Sequence, residues 1–471
     1  MHIAVDLGAL SGRVMLGHFG GDELVLREAH RFAHPMTSSG GHLRWDVPYI
    51  VAEITKGIAL AVEDARRRGR AVISLGVDTW GVDYGLVDRS GRLLAPPVCY
   101  RDERTRGRME EVFRDVPRRE IFERTGIQFL ELNTLYQLVA EARGEGITAG
   151  ACRLLMMADL MHAHLGGRPC CEYTLATTSQ MVSAATGDWD RDLLVRLGLP
   201  VALLPDIVQP GTCLGTLRES IQADLRVPPI SIVAPAAHDT ASAVVGAPLE
   251  EGWAFVSSGT WSLVGAEIAR PLVSDAAYEH NFTNEGGAAG TIRLLKNVVG
   301  LWILESCRRQ WAARGTVLDY AALGRAMAGT PGPAGTIDPD DPRFFNPRDM
   351  VAEVQASLRE SGQGAAGDEV TISRVILDSL ARKYRAVVDE IELVTGRSVV
   401  GLRIVGGGSQ NDYLNQATAD ACGRPVVAGP AEATALGNLA VQAMAAGRFR
   451  SVGEARRFIE RHVETRRFDP R

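Results

Sequence analysis

The sequence predicts an α/β protein whose sheets are mixed rather than purely parallel, and three observations predict it. Strand–turn–strand meanders alternate with amphipathic helical patterns, which is how a sheet with both parallel and antiparallel neighbours reads. A Gly-centred hairpin pattern near the start recurs close to the middle of the chain. The 471 residues, 46% hydrophobic and 23% charged, suffice for two or three domains with their own cores.

The opening reads as a strand at 3–6, a small-residue loop at 7–12, a strand at 13–19, the Gly20-Gly21 turn and a strand at 23–32. A P-loop or a dinucleotide fingerprint needs a Gly-rich loop that opens a helix, whereas this loop opens another strand. A phosphate-binding hairpin is the reading left. Asp46 is placed to cap a helix with Pro48 in its first turn and Ile50, Ile54, Ile58, Ala61, Val62 and Ala65 on one face. The basic run at 66–70 closes that helix, where cations suit the negative end of the dipole and Gly69 suits the cap.

Strands at 72–78 and 82–87 follow, joined by a loop at 79–81. The segment 254–264 repeats the opening in outline. Laid with Gly259 on Gly8, both segments have an apolar run, a polar residue two before the Gly and a Ser three after it. The joint falls at 245–252. The later half shows loops at 329–349 and 362–367, a helix at 373–394 with Gly396 past its end, and a short strand at 402–405. That strand runs into Gly406-Gly407-Gly408, then a helix at 411–421 and a last one at 432–446 with Gly437 inside it.

Lys and Arg total 51 against 57 Asp and Glu, a formal charge of −6, so electrostatics give no reason to expect nucleic acid or an anionic membrane as partner. The seven cysteines form no C-x-x-C pair and read as reduced thiols of a cytoplasmic protein. The start carries no charged leader ahead of an apolar core, and no later apolar run is long enough to span a bilayer.

Several segments carry candidate chemistry. In Asp6-Leu7-Gly8-Ala9-Leu10-Ser11-Gly12-Arg13 the glycines let backbone N–H groups approach an anion and Ser11 adds a hydroxyl, while Asp6 is suited to hold hydrated Mg²⁺. An ordinary hairpin explains the same residues. The second hairpin, 257–262, offers the same materials without a carboxylate. Asp239, in Ala236-Ala237-His238-Asp239-Thr240, follows an apolar stretch and opens a small-residue helix. That is where a general base sits, and also where a plain N-cap sits. Trp80, with Asp78 and Asp83 around it, reads equally as a sugar-facing aromatic or as core. The charged stretch 100–105 reads as a solvated face.

Taken together and in order, the segments AVDLGALSGRVML (4–16), GVDTWGVDYGL (76–86), YRDERT (100–105), AAHDTASAV (236–244), SSGTWSL (257–263), LKNVVGLWILE (295–305) and IVGGGSQN (404–411) resemble the carbohydrate kinases of the FGGY family, within the actin-like ATPase superfamily. The resemblance runs through nearly the whole chain. It implies two actin-like (ribonuclease H-like) domains, 1–247 and 248–471, with mixed sheets flanked by helices and an active site in the cleft between them.

It implies Asp239 as general base, with Gly81, His238, Thr240 and Asn297 contacting a ketose. Ala9, Leu10, Ser11, Gly12 and Arg13 would cradle the ATP phosphates, Thr260 would add a second phosphate contact, Gly407 would back the adenosine, and Asp6 would orient hydrated Mg²⁺. The implied reaction moves the γ-phosphoryl group of ATP to O1 of L-rhamnulose in a monomer or homodimer. Another ketose such as L-fuculose, a non-catalytic sugar- or nucleotide-sensing relative and an actin-like assembly protein stay as alternatives. The sequence departs from the family pattern at Leu10, where a second Ser is common, and at Glu305, where Gln is frequent. A carboxylate near phosphates repels them unless Mg²⁺ or an Arg intervenes, so Glu305 stays outside the expected set.

Overall fold

A computed structural model of the chain describes residues 1–144, 146–318, 320–329, 335–364 and 367–471. The elements that position the site are, in chain order, β1 (His2–Leu7), β2 (Ser11–Phe19), β3 (Leu24–Ala33), α1 (Val47–Arg67), β4 (Ser74–Thr79), β5 (Cys213–Thr216), β6 (Ser231–Val233), α2 (Asp239–Gly246), β7 (Trp253–Ser258), β8 (Trp261–Ile268), β9 (Ile292–Val299), α3 (Trp302–Ala313), α4 (Glu369–Thr395), β10 (Gly401–Val405), α5 (Asp412–Cys422), β11 (Val426–Ala428), α6 (Ala433–Ala445) and β12 (Arg466–Phe468). They fall into two compact units. One comprises Met1–Pro248, Glu267–Leu294 and Ala433–His462; the other comprises Leu249–Ala266, Leu295–Glu432 and Val463–Arg471.

In the first unit the sheet runs β5-β6-β4-β1-β2-β3. β1 pairs antiparallel with β2 and parallel with β4, which is why the sheet is mixed. Every residue of β1 and β4 is buried, as inner strands covered on both faces must be. The helix expected after Asp46 is α1: the Asp46 carboxylate accepts from the Tyr49 N–H at 3.0 Å, and Ile50, Ile54, Ile58, Ala61, Val62 and Ala65 face the core. Its basic C-terminus has a structural task, because the Arg66 guanidinium donates to the carbonyls of Leu225 and Arg226.

Helix α6 returns to this unit from far along the chain and lies against α2. The two backbones touch at glycines. A Cβ added to Gly437 would stand 1.8 Å from the Ser242 carbonyl oxygen, and one added to Gly246 would stand 2.1 Å from that of Ala433. The face of α6 toward the sheet is polar yet fully buried. Gln442 donates to the Ile3 carbonyl at 2.9 Å and to Asn438 at 2.7 Å, and accepts from Ser74 at 2.6 Å. Asn438 then donates to the Gly76 carbonyl at 3.2 Å and to the Asp78 carboxylate at 2.5 Å. Each of these buried polar groups finds a partner, which is the condition for keeping it there.

In the second unit β7 pairs antiparallel with β8 and parallel with β10, the arrangement β1 has with β2 and β4. β10 continues in parallel to β11, and β12 closes antiparallel on β11. The long helix α4 ends at Gly396 in the left-handed region, φ 65°, and packs on α5. Of the loops expected at 329–349 and 362–367, residues 330–334 and 365–366 lie outside the described residues. The remainder of the first is packed: Phe344 is fully buried, and the Ile337 N–H donates to the Ser379 hydroxyl of α4 at 2.9 Å. Among the described residues no helix is long and apolar enough to cross a membrane.

The α2–α6 contact leaves no room for a methyl group. Gly437→Ala is therefore expected to lower stability by about 1–3 kcal/mol, the usual range for overpacking, read as a fall in the urea midpoint at unchanged slope.

Candidate functional site

The first hairpin sits at the end of β1. Its turn is closed by the Gly8 N–H on the Ser11 carbonyl at 3.0 Å, with Gly8, Ala9 and Leu10 partly open and Ser11 exposed. Arg13, expected to reach phosphate, has its guanidinium on the Asp6 carboxylate. Asp6 lies directly across from Asp78, because β1 and β4 pair Asp6 with Asp78 in register. Burial pushes the Asp78 carboxyl well above the usual range, and the neighbouring Asp6 charge adds to the push. Asp78 Oδ2 is held by Asn438, whereas Oδ1 is buried without a hydrogen-bond partner among the described residues. Two hard oxygen donors, one of them orphaned, fit a Mg²⁺ that keeps most of its own water. No three His, Cys, Asp or Glu side chains among the described residues converge to hold a metal directly.

Asp239 is the first residue of α2, with His238 as its N-cap. The approach to it is pinned from several sides. The Ala237 N–H donates to Glu172 Oε2 at 3.1 Å, and the His238 N–H to the Thr174 hydroxyl at 3.0 Å. The Thr79 N–H donates to the Ala237 carbonyl at 2.8 Å, tying this stretch to the end of β4. Thr240, itself 2% exposed, puts its N–H and hydroxyl on Asp239 Oδ1, and His238 Nε2 faces the same oxygen at 3.4 Å. These contacts converge on Oδ1, and the side chain is 28% exposed. Burial raises the Asp239 pKa, His238 pulls it down, and the Asp6 charge raises it again. A carboxyl tuned upward in this way is a better proton acceptor than a free one.

Gly81 follows β4. A Cβ there would stand 3.0 Å from the Thr178 hydroxyl, a close fit that Thr178 would have to yield to. Val82 next to it has φ 67°, a costly conformation for a β-branched residue, on the order of 1–3 kcal/mol. Three hydrogen bonds enforce it: the Val82 N–H on Thr178 at 3.2 Å, and the Val82 carbonyl accepting from Thr134 at 2.6 Å and Gln137 at 3.3 Å. Trp80 resolves to core. It is 5% exposed and stacks with His34, while its indole and that of Trp45 both donate to Asp83 Oδ2. Asp83 is fully buried, and burial raises its pKa to about 6. The stretch at 100–105 is no solvated face: Tyr100, Arg101 and Thr105 are buried, and Asp102 binds the His42 ring at 2.9 Å and the Leu43 N–H at 2.8 Å.

The second unit holds Thr260, Asn297 and Gly407. Its hairpin is tighter than the first, closed by the Gly259 N–H on the Trp261 carbonyl at 2.9 Å. Ser262, the apparent counterpart of Ser11, is buried with its hydroxyl 2.6 Å from that of Tyr384, so it is a core residue rather than an anion donor. Thr260 remains partly open, and Asn297 is half-buried on β9. The Gly-rich turn after β10 presses on β7: a Cβ on Gly408 would stand 2.0 Å from the Ser258 hydroxyl, whereas one on Gly407 meets nothing within 4 Å. A cavity of about 1300 Å³ is lined by Thr260, Gly407, Gly408, Tyr413 and Glu305 among others, a size that takes a nucleotide. On its wall Tyr413 donates to Asp378 at 2.8 Å and accepts from Arg374 at 3.1 Å. Glu305 is paired with Arg308 at 2.8 Å, so a cation stands beside its carboxylate.

Sequence reasoning missed Glu172, Thr174, Glu285 and Arg293. All four are buried, and none belongs to a local motif. Glu172 Oε2 accepts from the Thr174 N–H and hydroxyl, the Leu175 N–H and the Ala237 N–H, and burial raises its pKa to about 7.

Residues 1–246 match the sequence profile of the FGGY family of carbohydrate kinases, N-terminal domain, and residues 254–446 that of its C-terminal domain. The chain is 40% identical to a rhamnulokinase of Bacteroides thetaiotaomicron, over 99% of this chain and 95% of that one. It is 42% identical to a rhamnulokinase of Pectobacterium carotovorum, over 100% and 93%. Among solved structures it is similar to ligand-bound xylulose kinase from Lactobacillus acidophilus, with TM-score 0.81 and 14% identity over 100% of this chain and 94% of that one. Glycerol kinase from Plasmodium falciparum with ADP gives TM-score 0.75 and 15% identity over the same shares.

The Glu172 carboxyl rises from an ordinary 4.5 to about 7 on folding, so between these values the folded chain binds more protons than the unfolded one. Stability therefore falls as pH rises through that window, on the order of 1–3 kcal/mol from this group. In urea titrations from pH 4.5 to 7.5, Glu172→Gln is expected to show a shallower decline than the native chain.

Proposed function

The chain belongs to the FGGY family of carbohydrate kinases, and on that premise we propose that it transfers the γ-phosphoryl group of ATP to O1 of L-rhamnulose, giving L-rhamnulose 1-phosphate and ADP in L-rhamnose breakdown. It is an ATP-dependent sugar phosphotransferase with the two-domain actin-like fold of sugar kinases. The observation that carries the residue assignment is Asp239: a partly open carboxylate at the start of α2, with Oδ1 engaged by Thr240 and Oδ2 left over.

In the proposed step Oδ2 takes the proton of the sugar's 1-hydroxyl as that oxygen attacks the γ-phosphorus in line. The new O1–P bond forms as the bridging β,γ P–O bond breaks, and the electron pair leaves with ADP. Most of the work is positioning and charge stabilisation. Gly81, His238, Thr240 and Asn297 hold the ketose. Ala9, Leu10, Ser11, Gly12 and Arg13, together with Thr260, hold the phosphates, and Gly407 backs the adenosine. Asp6, with Asp78 beside it, would hold Mg²⁺ through water. The metal, when bound, neutralises phosphate charge. Residues 1–247 carry the sugar and the base, residues 248–471 the adenosine site, and the protein works in the cytoplasm.

The deciding experiment measures ADP release from ATP and Mg²⁺ with a panel of ketoses. The native chain is expected to turn over on L-rhamnulose, and Asp239→Asn to lose about 10²–10⁴-fold in kcat while still binding ATP. Preference for L-fuculose or a pentulose would keep the mechanism and remove the substrate. Turnover of ATP unaffected by any sugar would remove the kinase reading.

A further inference from the structure

Behind Asp239 lies a charged pair that the proposed chemistry does not use. Arg293, on β9, is fully buried, and Glu285, on the strand Thr283–Gly286, is nearly so. Burying a guanidinium is costly unless its donors are matched. Here Nη1 stands 3.1 Å from Glu285 Oε2, Nε donates to the Gly286 carbonyl at 2.9 Å, and Nη2 lies 3.1 Å from His238 Nδ1. Glu285 Oε2 is itself 3.3 Å from Nδ1.

A guanidinium offers only donors and holds its protons at any working pH. Its bond to Nδ1 therefore exists only when Nδ1 presents a lone pair, and the single imidazole proton then resides on Nε2. Nε2 is the nitrogen that faces Asp239 Oδ1. In the opposite tautomer an Nδ1–H would turn to Glu285 Oε2 at 3.3 Å, forfeit the Arg293 hydrogen bond and leave Nε2 without a proton to offer the carboxylate.

We propose that Arg293, with Glu285 as its counter-ion, is a positioning residue that holds His238 as the Nε2–H tautomer, so that the ring presents a donor to Asp239 Oδ1 and to the ketose oxygen beside it. This rests on the reading that His238 contacts the ketose. The donor occupies Oδ1 and so keeps Oδ2 as the proton acceptor. It also makes the ring selective for a sugar oxygen that turns a lone pair toward it.

Two readouts test this. In ¹⁵N-histidine-labelled native protein, the His238 ring, assigned among the 10 histidines by difference from His238→Ala, is expected to show an unprotonated Nδ1 and a protonated Nε2. In kinetics, Arg293→Met and Glu285→Gln are expected to raise the ketose KM about tenfold or more, the scale of a lost charge-assisted hydrogen bond, with the ATP KM within about twofold. The double variant His238→Ala/Arg293→Met is expected to be no worse than His238→Ala alone, because Arg293 acts through that ring.

A protonated Nδ1 in the native protein, or independent and multiplying losses in the double variant, overturns the proposal. If His238→Ala leaves ketose kinetics unchanged, the ketose-contact reading fails instead, and the spectrum still decides the tautomer. If Arg293→Met does not fold, the native spectrum and Glu285→Gln carry the test.

Discussion

Three carboxylates have to share one low-dielectric corner of the first unit, and much of that unit is arranged around the repulsion. Asp6 and Asp78 stand opposite each other on adjacent parallel strands, and burial raises the pKa of both Asp78 and Asp239, with the charge of Asp6 adding to each rise. Like charges in such a place separate, neutralise or acquire partners. The protein uses partners. Arg13 takes Asp6, Asn438 takes one oxygen of Asp78, and the Thr240 N–H and hydroxyl take one oxygen of Asp239.

The supports of Asp239 are themselves layered. Glu172 gathers four donors on one oxygen, one of them the Ala237 N–H, and Thr174 holds the His238 N–H. The residues before Asp239 therefore have little freedom. Three residues beyond Thr79, Val82 keeps a strained backbone only because Thr178, Thr134 and Gln137 outvote it. Strain of that kind persists where geometry matters more than local comfort, and Gly81 is the residue it aims.

Much of this was legible in the sequence where the signal is local. The hairpin at Gly8, the cap at Asp46, the helix opening at Asp239 and the glycine turn after β10 all rest on short-range rules of turn, cap and period. What stayed hidden depends on tertiary packing. Nothing near Asn438 or Gln442 announces that a polar helix face will be buried against β1 and β4. Glu172, Glu285 and Arg293 look like surface residues in sequence, because their partners lie on other elements. Trp80 stayed open between two readings and the stretch at 100–105 misled for the same reason: the exposure of an indole or a charge is undecided until its hydrogen-bond partners are known. The serine match between the hairpins was equally local, and it failed because the second turn is tighter and turns Ser262 inward to Tyr384.

The bond between Asn438 and Asp78 joins residues 360 positions apart. A ribosome makes β4 early and α6 almost last. Until α6 emerges, Asp78, Ser74 and the inner carbonyls of the sheet have no helix to satisfy them, and the face that will receive it stays open to water. The acidic corner is unfinished until α6 has been made, and closing so long a loop is slow by its nature. The order of synthesis thus makes the Asn438–Asp78 contact one of the last that can form, and a chain terminated before α6 lacks it altogether.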